Sequence, residues 1–232
     1  MTILNITVTP ELVAISADSA VAELVGPPLE GAATTDPAEL PRDFADPASP
    51  CFPPIPECYR RKIAVLAEQR RIVAASGSAL LTVVATGILA LWGSGSLEDE
   101  LGELVAGLRK LRELASPAAA AGMVIVAGYD DALGAAAFAL GSGEDWAPRK
   151  LQPGTAAVPV PHPTLAGYAD LYRRYVARPG TDVEGLHLAL AQNQAEAARR
   201  GLYRAGPAIG GELWLAEVDA AGARQRVVWN LG

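Results

Sequence analysis

Short apolar runs in this chain come in tandem pairs, each pair closed by a tight turn. Residues 3–8 read Ile-Leu-Asn-Ile-Thr-Val, Thr9-Pro10-Glu11 turns, and 12–17 return as a second apolar run ending at Asp18-Ser19. Two such runs joined by a three-residue turn make a β-hairpin. The same device recurs at 62–66 and 71–75 across Glu68-Gln69-Arg70, at 123–128 and 134–140 around Asp130-Asp131, and at 212–218 and 224–231 across 219–222. Between hairpins the apolar period lengthens to that of a helix. Leu97, Leu101, Leu104, Val105, Leu108 and Leu111 share one helical face, so a helix runs over about 97–115 with Ser96 as its N-cap. Further helices are predicted from Gly77 to about Trp92, over 164–176, and from the cap Asp182 to about Gly201. Eight strands in four hairpins, separated by helix pairs, fit an α+β fold. Two antiparallel sheets pack face to face with helices outside both, a four-layer αββα sandwich.

One stretch breaks this order. Residues 26–58 hold nine of the 18 prolines and no periodic apolar pattern, which predicts an irregular or polyproline-like excursion. The chain of 232 residues therefore reads as a single domain, 1–232, with a Pro-rich insertion at about 26–61.

The charge balance argues against several function classes. Net charge is −7, and beyond pairs such as Arg60-Arg61 and Arg199-Arg200 there is no basic cluster, so nucleic acid is not an expected partner. No basic n-region precedes an apolar core at the N-terminus, which predicts no signal peptide. The longest apolar run, 78–92, is shorter than a membrane span and contains Thr82, Thr86 and Gly87, so it reads as a buried helix. The expectation is a cytoplasmic protein with no membrane partner.

Four residues stand where chemistry is expected. Thr2 precedes the first strand, and Asp18 follows the second at a separation of 16 positions. Lys62 opens the third strand, Lys62-Ile-Ala-Val-Leu66. Gly77 lies 15 positions further on, in the small-residue turn Ala75-Ser-Gly-Ser-Ala79 before the first helix. The Gly-rich entry Gly210-Gly211 leads into the last hairpin. This order and spacing resemble the N-terminal nucleophile hydrolases, in particular the proteasome β-subunit-like branch. The resemblance covers almost the whole chain except the excursion.

That resemblance implies a site. Removal of Met1, which a small second residue permits, would leave Thr2 as an N-terminal nucleophile. Its own free α-amine would be the base, titrating near roughly 7.7–8.0 when unperturbed. Lys62 would lower the cost of the alkoxide, Asp18 would orient Lys62, and the backbone N–H near Gly77 would face the developing oxyanion. The implied activity is a threonine peptidase or amide hydrolase without a cofactor, assembled as a homo-oligomeric ring. Read on their own, Asp18 is also a turn residue, Lys62 a solvated charge after Arg60-Arg61, and Gly77 a helix-entry glycine.

The pattern also departs from the family. An acidic residue followed by Ser is expected before the last hairpin, where this chain has Arg204-Ala-Gly-Pro-Ala-Ile209. A Gly/Ser-rich turn is replaced by Val158-Pro-Val-Pro-His-Pro-Thr164. These departures point to the alternative, a catalytically degenerate structural or assembly protein of the same fold. Elsewhere, Cys51 and Cys58, with only His162 and His187 available, do not compose a zinc site. His187 reads as a packing residue, His162 as a loop residue, and Trp92, Trp146, Trp214 and Trp229 as packing aromatics.

Overall fold

In the computed structural model the described residues are 3–19, 62–77, 79–92, 95–115, 120–131, 133–168, 182–203 and 209–231. Thr2, Cys51, Cys58, most of the Arg204–Ile209 segment and the whole Pro-rich insertion lie outside them. The strands are β1 (Leu4–Val8), β2 (Leu12–Asp18), β3 (Ile63–Leu66), β4 (Arg71–Gly77), β5 (Gly122–Asp130), β6 (Gly134–Gly141), β7 (Arg149–Lys150), β8 (Gly154–Val158), β9 (Glu212–Asp219) and β10 (Gly222–Asn230). Three α-helices, α1 (Ala79–Trp92), α2 (Leu97–Leu114) and α3 (Val183–Arg199), and a single 3-10 turn at Ser142–Glu144 accompany them.

Two antiparallel sheets result. One has the order β10-β9-β2-β1-β8 and the other β3-β4-β5-β6-β7. Alternation along each strand decides which face is buried where. Leu4, Ile6, Val8, Val13, Ile15 and Ala17 from the first sheet meet Ile72, Ala74, Ile125, Ala127 and Ala137 from the second, forming the core between the sheets. The opposite face of the second sheet, through Val73, Val124, Val126 and Phe138, packs on Leu81, Ala85 and Leu89 of α1 and Leu97, Leu101, Leu104 and Leu108 of α2. On the outer face of the first sheet, Ile3 and Leu213 pack on Ala191 of α3. The layers are helix, sheet, sheet, helix, the α+β sandwich expected from the hairpin pattern.

The element predictions fare unequally. All four hairpins form, Ser96 caps α2 by accepting from Asp99 N, and Asp182 caps α3 by accepting from Gly185 N. Among the described residues there are ten strands rather than eight, because β7 and β8 gave no apolar pattern. Residues 163–167 are turn and bend, Tyr168 is helical, and the rest of the helix expected over 164–176 falls outside the described residues. Trp229 is 49% exposed on the edge strand β10, so it does not pack as expected, whereas Trp146 is fully buried.

Candidate active site at the end of the first hairpin

The register of the sheets carries Asp18, Lys62 and Gly77 to one end of the sandwich. β1 starts where β2 ends, with Leu4 opposite Ala17. Asp18 is therefore the neighbour of Ile3, and its Oδ1 accepts from Ile3 N at 2.9 Å. That nitrogen is the atom joining position 2 to the described chain. In the second sheet β3 starts at this same end. Ala75 N donates to Lys62 O at 3.1 Å, which sets Lys62 beside the C-terminal end of β4.

Lys62 Nζ reaches across the two sheets to Asp18 Oδ1 at 2.8 Å. The Asp18 side chain is fully buried and that of Lys62 is 14% exposed. The other carboxylate oxygen, Oδ2, accepts from Gly210 N at 3.3 Å. Ser19 extends the arrangement by pairing with Glu212 through both its backbone N–H and its hydroxyl. Burial pulls the Lys62 ammonium below the ordinary lysine range, and Asp18 opposes that shift. Burial likewise pushes the Asp18 carboxyl above the ordinary aspartate range, against Lys62 and the two backbone donors. A carboxylate with three donors is a fixed support, so the ammonium it holds is oriented rather than free to wander.

Gly77 ends β4, opposite Gly122 of β5. Its φ is +114°, and a Cβ there would lie 2.5 Å from Ala121 O. Gly122, at φ +148°, would bring a Cβ to 2.3 Å from Ser76 O. Glycine is thus required at 77 by the neighbouring strand. The exposed end of β4 lies next to the lysine strand. Asp18 and Lys62 are in direct contact, and Gly77 adjoins them through the β3–β4 register.

Beneath this end lies a polar layer that the sequence reading did not anticipate. Asn5 of β1 and Gln194 of α3 exchange two hydrogen bonds, at 3.0 and 2.9 Å. Gln194 Nε2 also donates to Pro159 O at 2.6 Å. His187 is fully buried between Thr7 Oγ1, 2.9 Å from Nε2, and Ser16 Oγ, 2.8 Å from Nδ1. Burial pulls its pKa down to about 3, so the ring is neutral at ordinary pH. The packing role expected of His187 is the one it has. His162 sits in a loop, its Nδ1 2.7 Å from Thr164 Oγ1. Asn5, Thr7 and Ser16 carried a faint signal, being polar residues at alternate positions of otherwise apolar strands.

No family model and no curated protein matches the chain. Solved structures do. Anbu from Yersinia bercovieri, described as an ancestral β-subunit, is similar at a TM-score of 0.59 and 12% identity, over 98% of this chain and 87% of that one. A Gly-1 mutant of Anbu from Hyphomicrobium sp. strain MC1 is similar at a TM-score of 0.59 and 11% identity, over 98% of this chain and 88% of that one. At such identities the likeness shows the fold. Among the described residues no helix is long and apolar enough to cross a membrane.

Proposed function

We propose that the chain is a proteasome-like hydrolase of peptide or amide bonds that uses Thr2 as its nucleophile once Met1 is removed. The observation that carries this reading is the buried Lys62–Asp18 pair, whose carboxylate also holds the nitrogen that follows position 2. That contact supports a nucleophile at position 2 working beside an oriented ammonium. The Thr2 hydroxyl adds to the scissile carbonyl carbon and its proton passes to the α-amine. The carbon–nitrogen bond breaks as that proton reaches the leaving amine, and water hydrolyses the ester. Lys62 supports the developing alkoxide, Asp18 keeps Lys62 in place, and a backbone N–H at Gly77 faces the oxyanion. We extend the reading to a cytoplasmic homo-oligomeric ring, by analogy with a neighbour described as a β-subunit.

The intact mass of the natively expressed protein tests the premise, since a retained Met1 leaves no free amine on Thr2. With Met1 absent, Thr2→Ala abolishes hydrolysis and Lys62→Met lowers it on the order of a thousandfold. Hydrolysis that survives Thr2→Ala removes the threonine mechanism. The second reading, a non-catalytic structural or assembly protein of this fold, is favoured by the segment before β9. It offers neither an acidic residue nor a serine to support an amine, and Asp18 Oδ2 is met there by Gly210 N–H instead.

A further inference from the structure

Beside the Asp18–Lys62 pair the surface changes character. The register that sets Leu4 opposite Val158 brings Pro159 level with Ile3 and carries Val160 past the start of β1. Val160 is 65% exposed, between two prolines. The backbone that presents it is tied from below. Gln194 donates to Pro159 O at 2.6 Å, and Asn193 Oδ1 accepts from His162 N at 2.7 Å. Both helix side chains are buried, and Gln194 is itself locked by Asn5. From the other side Tyr203 donates its hydroxyl to Val160 O at 3.1 Å, and its ring meets His162 edge to face at 6.2 Å. Leu202, 37% exposed, precedes it.

A lone exposed valine needs no explanation. A valine whose flanking backbone is clamped by two buried amides and by the Tyr203 hydroxyl, one strand from Asp18 and with exposed Leu202 preceding that tyrosine, is a preorganised apolar surface. We propose that Val160, Leu202 and the His162–Tyr203 pair form a ledge that takes an apolar side chain of a peptide lying across the Asp18–Lys62 site. Val160, Leu202, His162 and Tyr203, the described residues of the ledge, carry no carboxylate or ammonium, so they favour leucine-like residues over acidic ones. The inference rests on the peptide-hydrolase reading for its occupant, so its test reads binding rather than turnover.

The full chain carrying Thr2→Ala is titrated by calorimetry with alanine-rich octapeptides in which one Leu, or one Asp, is moved through the positions. The expected result is one position at which Leu binds about tenfold tighter than Asp, the discrimination an apolar contact surface supplies. Val160→Asp, an exposed substitution that leaves the clamps intact, erases that preference. Equal affinity for Leu and Asp peptides at every position, no binding of any peptide, or a preference that survives Val160→Asp together with Leu202→Ala would each overturn the ledge. Turnover by the unsubstituted protein is measured separately. Its absence beside an intact leucine preference would remove the hydrolase reading and leave the ledge standing as a peptide-binding surface.

Discussion

Asp18 satisfies three donors at once, so its variants separate charge from hydrogen bonding. Asp18→Ala strands the mostly buried Lys62 ammonium and leaves the N–H groups of Ile3 and Gly210 without their acceptor. The expected cost is about 3 kcal/mol in urea unfolding, the lower end for a broken buried pair because Lys62 keeps some solvent. Asp18→Asn retains a carbonyl acceptor and costs less, and a loss below about 1 kcal/mol for the alanine variant would contradict the geometry. His187 gives a second expectation. Its folded pKa is depressed to about 3, so the unfolded chain binds a proton that the folded chain refuses. Its contribution is fully present above the unfolded value of about 6.5 and is lost as pH falls towards 3, at about 1.4 kcal/mol per unit. Between pH 7 and 5 the unsubstituted protein should therefore lose about 2 kcal/mol more stability than His187→Asn. Equal losses would show that the ring is protonated in place. The Asp18–Lys62 contact was legible in the sequence because each residue sits at a strand end whose position the hairpins dictate. The His187 partners were not, since Thr7 and Ser16 lie 180 and 171 positions away and only the packing of α3 brings them close.

At the scale of elements, α2 is bound to the second sheet by more than its leucines. Arg71, the first residue of β4, donates from Nε to Glu100 Oε2 at 2.7 Å and from Nη2 to Glu100 Oε1 at 3.1 Å, with both side chains nearly inaccessible. Its remaining donors meet the carbonyls of Arg70, Tyr129 and Gly95. Gly128 stands opposite, where a Cβ would lie 2.7 Å from Arg71 Cδ, so the glycine makes room for the guanidinium. Glu100→Gln should cost about 3 kcal/mol or more, because a buried cation loses its countercharge. The double replacement Arg71→Met with Glu100→Leu should recover most of that, and a cycle of the four proteins followed by urea unfolding measures the coupling. Additive losses would mean the two side chains do not act as a pair. A signal for this pair was present in the sequence, since Glu100 falls between Leu97, Leu101 and Leu104 on the apolar stripe. The sequence does not name its partner, because Arg71 opens a strand 29 positions away. β8 left less trace. Gly-Thr-Ala-Ala-Val is mostly half-exposed at the sheet edge, so no alternation marks it, and its strand conformation is imposed by the open edge of β1.

At the scale of the whole molecule, the described residues on either side of the Pro-rich insertion already compose two apolar cores. The cluster between the sheets and the cluster under α1 and α2 draw their buried residues from 4–18, 63–75, 81–108, 124–146 and 216–218. The two points where the chain leaves and rejoins this body are close, because Lys62 Nζ touches Asp18. Excision of 26–58 leaves residues 20–25 and 59–61, nine in all, to join Ser19 to Lys62. Nine residues reach about 30 Å when extended, which is ample for neighbours. Shortening the segment between Ser19 and Lys62 from 42 to nine residues relieves about 1 kcal/mol of closure entropy. The excised protein should therefore unfold in urea as a single transition, at least as stable as the parent. Loss of the folded state would place the insertion inside the core and overturn the single-domain reading with a separable insertion. The same protein also divides the two functional readings. A hydrolase whose chemistry rests on Thr2, Asp18, Lys62 and Gly77 keeps its Thr2-dependent turnover after the excision. An assembly protein whose insertion binds neighbouring copies keeps its fold but loses its oligomer, which sedimentation of the parent and excised proteins at equal concentration would register.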